Sequence, residues 1–150
     1  MPDIAIESAD ADGVLELLQA SDEFHNALYP PEENYLLDIA ELLTDAVTVV
    51  VARVDGEAVG MGALVETSGG AAELKRMFVR PEQRGLGIAG GILDSLERRA
   101  RERAITTVQL ETGPLQPAAI AFYTAHGYRA VPAFEPYLDA TNSLFFAKQL

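Results

Sequence analysis

The sequence contains no cysteine in its 150 residues. This absence excludes disulfide bonds, zinc sites with thiolate ligands and a cysteine nucleophile. The sequence also has no apolar run long enough to cross a bilayer. The first residues, MPDIAIESADADGV, are acidic and lack the basic and apolar regions of a signal peptide. We therefore expect a cytoplasmic protein with no membrane partner.

Cations are scarce and unevenly distributed. The net charge is −12, and residues 1–52 contain neither Lys nor Arg. Because non-specific nucleic-acid binding depends on Lys and Arg that neutralise phosphates, we expect no nucleic-acid partner. With no cysteine and no helical pair of histidines, we expect no metal site. Most of the 11 cations lie between Lys75 and Arg103, around a glycine-rich loop.

The patterns that are present predict one mixed α/β domain over residues 1–150. Apolar residues at helical spacing predict helices in DADGVLELLQASDEFHNAL, which we expect to break near Ser21, and in YLLDIAELL, GIAGGILDSLERRARER and QPAAIAFYTAHG. Alternating or β-branched runs predict strands at DIAIES, on both sides of a hairpin turn at Asp55-Gly56, at Ala71–Val79, and in AITTVQLE, YRAVPAF and SLFFAKQL. The resulting element order is βαα-βββ-αβ-αβ-β.

The stretch RPEQRGLGIAGG, Arg80 to Gly91, contains four glycines between a predicted strand and a predicted helix. The first N–H groups of a helix lack backbone partners and, with the helix dipole, favour a phosphate. Glycine allows the phosphate to approach the backbone closely, and Arg84 can add a charge-assisted hydrogen bond. The loop is therefore predicted to bind the phosphates of a nucleotide.

A dinucleotide-binding fold is one alternative for this loop. Gly85, Gly87 and Gly90 satisfy the G-x-G-x-x-G pattern, and Glu111 ends the next strand where a ribose partner should lie. In that fold, however, the glycines directly follow the first strand. Here several strands come first, and RPEQR separates the strand from the glycines. We therefore reject a nucleotide-dependent oxidoreductase.

Two motifs carry a resemblance to a known family. The segment AELKRMFVRPEQRGLGIAGGIL resembles the acetyl-CoA-binding motif of the GNAT superfamily of N-acetyltransferases, through Arg84, Gly87 and Ala89. QPAAIAFYTAHGY is similar to the last helix of that family, in which Tyr123 precedes the pair Gly127-Tyr128. The resemblance implies a largely antiparallel central sheet of about six to seven strands flanked by helices. It also implies a possible homodimer.

The resemblance further implies where acetyl-CoA binds. The fourth strand would separate from the fifth and take the pantetheine arm between them, as an added strand. Gln116 stands near the point where family members often carry Asn, so we expect a similar contact from it. The expected cofactor-binding residues are Met77, Phe78, Val79, Arg84, Gly85, Leu86, Gly87, Ile88, Ala89 and Gln116.

Transfer to an amine needs a base, and an acid for the departing thiolate. The resemblance implies Glu73 as the base, since a glutamate at this spacing from the loop serves so in the histone-acetyltransferase branch. An exposed Glu73 that pairs with Lys75 or Arg129 is the alternative; Glu111 or water is then the base. Tyr123 is the expected acid. His126 is expected to cap a helix, and His25 to lie at the surface or to face the substrate.

The expected activity is direct transfer of acetyl from acetyl-CoA to a primary amine, and the alternative is a non-catalytic acyl-CoA sensor. In this family the segment after the first strand helps to wall the acceptor site. Here residues 10–43 have acids but no cations, which predicts a cationic acceptor, either a small molecule or a peptide amine. The acids include Asp22, Glu23, Glu32, Glu33 and Asp38, and Tyr29 and Tyr35 add aromatic faces suited to an ammonium group.

Overall fold

The computed structural model describes residues 2–29 and 39–150. The first half contains β1 (Asp3–Ile6), α1 (Val14–Leu28), α2 (Ile39–Leu42), β2 (Val47–Val54), β3 (Glu57–Glu66) and β4 (Ala71–Val79). A short 3₁₀ turn at Pro81–Gln83 follows. The second half contains α3 (Ile88–Glu102), β5 (Thr107–Thr112), α4 (Pro117–Ala125), β6 (Arg129–Ala130) and β7 (Leu144–Gln149).

The strands form one seven-stranded sheet in the order β1-β2-β3-β4-β5-β7-β6. Every neighbouring pair is antiparallel except β4 and β5, which α3 connects as a crossover. The predicted hairpin turn is confirmed, because Asp55 and Gly56 join β2 to β3 with φ of 50° and 82°. The predicted mixed, largely antiparallel fold is therefore confirmed.

Both faces of the sheet are covered, which explains why β2 reads as a nearly continuous apolar run. Val50 and Ala52 face the core formed with α3 and α4, and Val49 and Val51 face the core formed with α1 and α2. On α3, the predicted stripe is buried against the sheet at Ile88, Ile92, Leu96 and Ala100. Within the described ranges, no helix is long and apolar enough to span a membrane.

Two predicted element boundaries were wrong. The first helix does not break at Ser21 but continues to Leu28, because Ser21 is buried there and faces Arg76 of β4. The strand expected in YRAVPAF contains only Arg129–Ala130, and Pro132, which has no N–H to donate to a sheet, follows soon after. The helix expected in YLLDIAELL is described only from Ile39.

Candidate functional site

The strands β4 and β5 stay together for only part of their length. Their parallel pairing runs from Ala71 opposite Thr107 to Leu74 opposite Leu110. Beyond Leu74, β4 pairs only with β3, and the register shifts where Arg76 adopts a left-handed φ of 57°. This bulge bends β4 away from β5. The backbone of Met77–Val79 therefore faces the gap without a strand partner on that side.

The glycine loop follows the free end of β4. Gly85 and Gly87 have φ of 81° and 80°, in the left-handed region that favours glycine, and nothing lies within 4 Å of the position of a Cβ on either. Gly87 is the N-cap of α3, and no side chain caps that helix end. The first N–H groups of α3 therefore lie beside open space, as a bound pyrophosphate requires.

Arg84 joins this loop to α1. Its Nε donates to the carbonyl oxygen of Val79 at 3.0 Å, and its guanidinium lies 5.5 Å and 5.7 Å from the ring centres of Phe24 and Phe78. These contacts hold the loop against β4 and α1 at once. The sequence pattern predicted a phosphate contact from Arg84 but not this packing role.

A pocket with a cavity volume of about 100 Å³ opens where β4 and β5 separate. Its walls come from α1, β4, β5, α4 and the segment before β7. The pocket brings together seven of the residues singled out from the sequence, namely His25, Tyr29, Glu73, Met77, Glu111, Gln116 and Tyr123. Arg84 and the glycines of the loop after β4 lie outside its lining.

Glu73 is buried, with only 4% of its surface exposed, so it is not the exposed carboxylate of the alternative interpretation. The Tyr137 hydroxyl donates to its Oε2 at 2.7 Å, and Nζ of Lys75 lies 3.4 Å from the same oxygen. Lys75 also donates to the Tyr137 hydroxyl. Burial raises the pKa of the Glu73 carboxyl, although the Lys75 charge and the Tyr137 hydrogen bond act in the opposite direction.

Glu111 is a second carboxylate on the same wall. In β5 it follows Gln109, the partner of Glu73, by two residues, so both acids project from the same face of the sheet. Burial raises the pKa of Glu111, while a hydrogen bond from Ser143 and the charge of Lys75 lower it. The pocket thus contains two carboxyl groups whose protonated forms are favoured by burial.

Tyr123 lies on α4, packs in the core on the other face of the sheet, and lines the same pocket where β4 and β5 separate. It is buried, and no described residue hydrogen-bonds its hydroxyl. Its ring packs edge-on against Phe122 and Tyr128. Burial raises the pKa of its hydroxyl well above the usual range, so the group stays protonated at neutral pH and is available as a donor.

Other predicted residues occupy less central places. Gln116 is the N-cap of α4, and its side-chain oxygen accepts from Thr112 at 2.9 Å. Asp22 pairs with Arg76 at 2.7 Å, so part of the negative charge of α1 is neutralised. Tyr29 is buried beside the pocket and accepts from the Leu115 N–H at 3.1 Å. Glu32, Glu33, Tyr35 and Asp38 lie outside the described residues.

The sequence patterns missed Tyr137, Arg76 and Ser143. Tyr137 is 64 residues from Glu73, in an irregular segment between β6 and β7, so no local period marks it. The place of Arg76 in the pocket wall follows from the bulge in β4, which appears only in the folded structure. Among the described residues, no group of three or more His, Asp or Glu side chains could hold a metal ion.

Comparison with known proteins places this geometry in a family. The model of the acetyltransferase (GNAT) family matches residues 13–128. The chain is 39% identical to an Azospirillum brasilense protein named IAA acetyltransferase, with full coverage of both. The solved structure of a Klebsiella pneumoniae protein assigned to the acyl-CoA N-acyltransferases matches with a TM-score of 0.88 at 35% identity, covering 100% of this chain and 98% of that one.

A more distant relative with the same fold has been solved with acetyl-CoA bound. It is a GNAT family acetyltransferase from Elizabethkingia anophelis with acetyl-CoA bound, with a TM-score of 0.74 at 18% identity over 99% of this chain and 98% of that one. The family match covers well over half of the sequence, and the match to the Azospirillum protein covers all of it. The chain belongs to the GNAT family of acetyltransferases and uses acetyl-CoA as its donor.

Proposed function

We propose that this enzyme transfers acetyl directly to a primary amine held in the pocket between β4 and β5, with Glu73 as the base and Tyr123 as the acid. One observation carries the proposal. The β4–β5 pairing ends at Leu74, and at that point a pocket holds the Glu73 carboxyl and a protonated Tyr123 hydroxyl. No side chain in this scheme needs to form a covalent intermediate.

The free end of β4 and the loop after it would hold the donor, which supplies an acetyl thioester when bound. Backbone groups of Met77–Val79 would pair with the pantetheine amides, as an added strand does. The loop from Arg84 to Ala89 would cradle the pyrophosphate at the N-terminus of α3. Gln116, at the N-cap of α4 and in the pocket wall, would contact the arm near the thioester.

The acceptor amine needs a proton acceptor before it can react. An alkyl amine with its usual pKa is neutral in about one molecule per two thousand at pH 7. Because burial raises the pKa of Glu73, its carboxylate is a stronger base than an exposed one. Glu111 shares the wall and is the second choice for the same role.

The acceptor is further proposed to be cationic. Glu73 and Glu111 line the pocket, and residues 1–52 contain no cation. Raising the ionic strength from about 0.05 to 0.5 M, which shortens the Debye length about threefold, should raise KM for the amine several-fold. A neutral best acceptor, or a KM that ignores salt, would contradict this.

An amine panel that follows CoA release tests the activity. Binding of acetyl-CoA with no turnover of any amine would instead support a non-catalytic sensor.

For the donor site, Gly87→Val should weaken acetyl-CoA binding strongly, as measured by calorimetry, since a branched side chain would fill the place of the phosphate. Gly56→Val is the matched control, because Gly56 also has a left-handed φ of 82° and open space at its Cβ position. If both variants bind acetyl-CoA like the parent, the phosphate assignment is wrong.

We also propose that residues 1–150 act as one domain and that the enzyme forms a homodimer. The single sheet that contains both chain ends supports the first point. Light scattering across a concentration series tests the second.

A further inference from the structure

The chain contains two histidines, and both make the same local hydrogen bond. Nδ1 of His25 lies 2.9 Å from the carbonyl oxygen of Ser21, and Nδ1 of His126 lies 2.8 Å from that of Phe122. A carbonyl oxygen only accepts, so Nδ1 carries the proton in both rings. In the neutral imidazole, Nε2 is then the nitrogen with a free lone pair.

The surroundings of the two rings differ. His25 is half-buried and lines the pocket together with Glu73, Glu111 and Tyr123, whereas His126 is not part of that lining. Nε2 of His25 has no hydrogen-bond partner among the described residues, and the residue lines the chamber where the amine would bind.

We propose that Nε2 of His25 takes the first proton from the acceptor ammonium, as a second base beside Glu73. This inference rests on the proposed function, because it assigns a further catalytic residue to the same pocket. The nitrogen of an ammonium loses one proton before attack and another after it. His25 takes the first of these, which Glu73 would otherwise have to remove, and Glu73 takes the second.

The protons and electrons balance as follows. One N–H proton of the ammonium moves to Nε2, which leaves a neutral amine and an imidazolium. The nitrogen lone pair forms the bond to the acetyl carbon, and the C–S bond breaks with its electron pair on sulphur. Glu73 takes the second nitrogen proton, Tyr123 protonates the sulphur, and the Glu73 proton returns to Tyr123. The imidazolium then releases its proton to solvent.

Burial and the charges around His25 set the protonation state of its ring. Burial lowers the pKa of the ring, the hydrogen bond to the Ser21 carbonyl raises it, the Arg76 guanidinium of β4 lowers it, and Asp22 on α1 raises it. Because the net shift is downward, the ring is neutral and able to accept at pH 7. Activity that depends on it is lost as the pH falls through this lowered pKa.

Paired substitutions separate the two ring nitrogens. His25→Asn keeps a donor for the Ser21 carbonyl but removes Nε2, and His25→Gln places an amide near the Nε2 position that cannot take the proton. Both should lower kcat/KM for the amine by about 10²-fold while acetyl-CoA affinity stays within about twofold. His126→Asn and His126→Gln are matched controls with the same local bond and should retain parental rates. Parental rates in both His25 variants overturn the inference.

A measurement on the unaltered protein keeps the inference testable even if a variant misfolds. Nitrogen-15 NMR of the imidazoles should show His25 with Nδ1 protonated and Nε2 bare at pH 7. Addition of an accepted amine should shift Nε2 of His25 and leave His126 unmoved. A protonated Nε2 at pH 7, or no response to the amine, overturns the proposal.

Added imidazole distinguishes the loss of a proton acceptor from a change in the packing around residue 25. In His25→Ala, added imidazole should restore part of the rate, and less basic imidazoles should restore less. If the rate ignores imidazole basicity, His25 is not a proton acceptor. When Glu73→Gln is impaired and the His25 variants are not, only this inference fails; when the parent acetylates no amine, the proposed function fails.

Discussion

Two buried glutamates, Glu73 in β4 and Glu97 in α3, have the same kinds of partner on opposite faces of the sheet. Each carboxylate accepts from a tyrosine hydroxyl, Tyr137 at 2.7 Å for Glu73 and Tyr128 at 2.9 Å for Glu97. Each also lies beside a lysine ammonium, at 3.4 Å for Glu73 and 2.9 Å for Glu97. By composition alone the two clusters are equivalent.

Access is what separates them. Glu73 lines the pocket at the point where β4 leaves β5, together with Glu111 and Tyr123. Glu97 lines neither described pocket and joins α3 to β7 and to Tyr128, three residues after α4. The same polar triad therefore holds a pocket-lining carboxyl, the proposed base, on one face and links α3, β7 and the turn after α4 on the other. The interrupted strand pairing, rather than the choice of side chains, creates the site.

The largest expected effect is that of Glu73→Gln. The amide keeps an oxygen for Tyr137 but cannot take a proton, so kcat/KM for the amine should fall by about 10³-fold. Glu97→Gln makes the same chemical change in the other cluster and should leave kcat/KM within about threefold. Steady-state kinetics at saturating acetyl-CoA measure both. Equal losses would show that the two clusters share a structural role.

The tyrosines near the clusters extend the comparison. Tyr123→Phe keeps the ring packing and removes only the proposed proton donor, so kcat should fall by about 10²-fold with acetyl-CoA affinity nearly intact. Tyr128→Phe removes a hydroxyl bonded to Glu97 and should change kcat little. A parental kcat for Tyr123→Phe would show that solvent, rather than Tyr123, protonates the departing thiolate.

The sequence predicted the scaffold better than the contacts within it. The bounds of β4, Ala71–Val79, follow from local alternation and agree with the structure. The end of α1 does not, since Ser21 lowers helix propensity locally but is buried against Arg76, which no local pattern encodes. Tertiary burial overrides propensity at that point.

For the candidate site, motifs identified residues on regular elements. Glu73 and Tyr123 were placed by their spacing from the glycine loop and from Gly127, and the structure brings both into one pocket. Their roles remain predictions. Tyr137 was unpredictable, because its segment has no regular period and its contact depends on the whole sheet being formed.

The unfolding free energy should depend more on the Glu97 cluster than on the Glu73 cluster. Glu97→Met leaves the buried Tyr128 hydroxyl without its acceptor and removes the partner of Lys148, which should cost about 1–3 kcal/mol of unfolding free energy. Glu73→Gln should change it by less than about 1 kcal/mol, because relief of a buried charge offsets the lost attraction to Lys75. Urea unfolding of both variants at pH 7 measures the difference. A larger loss of unfolding free energy in Glu73→Gln than in Glu97→Met would show that the Glu73 cluster, and not the Glu97 cluster, is the structural one.

The smallest expected effect is a displacement of the pH–rate profile by Tyr137→Phe. The Tyr137 hydroxyl donates to the Glu73 carboxylate, which favours the charged form and lowers its pKa against the dominant effect of burial. Without that bond the pKa of Glu73 rises further. A base works only when deprotonated, so the acidic limb of kcat should move to higher pH. Tyr128→Phe removes the corresponding bond from Glu97 and should leave the limb in place. Burial raises the pKa of Glu111, and the charge of Glu73 adds to that rise, so a variant without the Glu111 carboxyl is needed to assign the limb. A Glu111→Gln background should therefore retain the shift if Glu73 is the base, and abolish the acidic limb if Glu111 is.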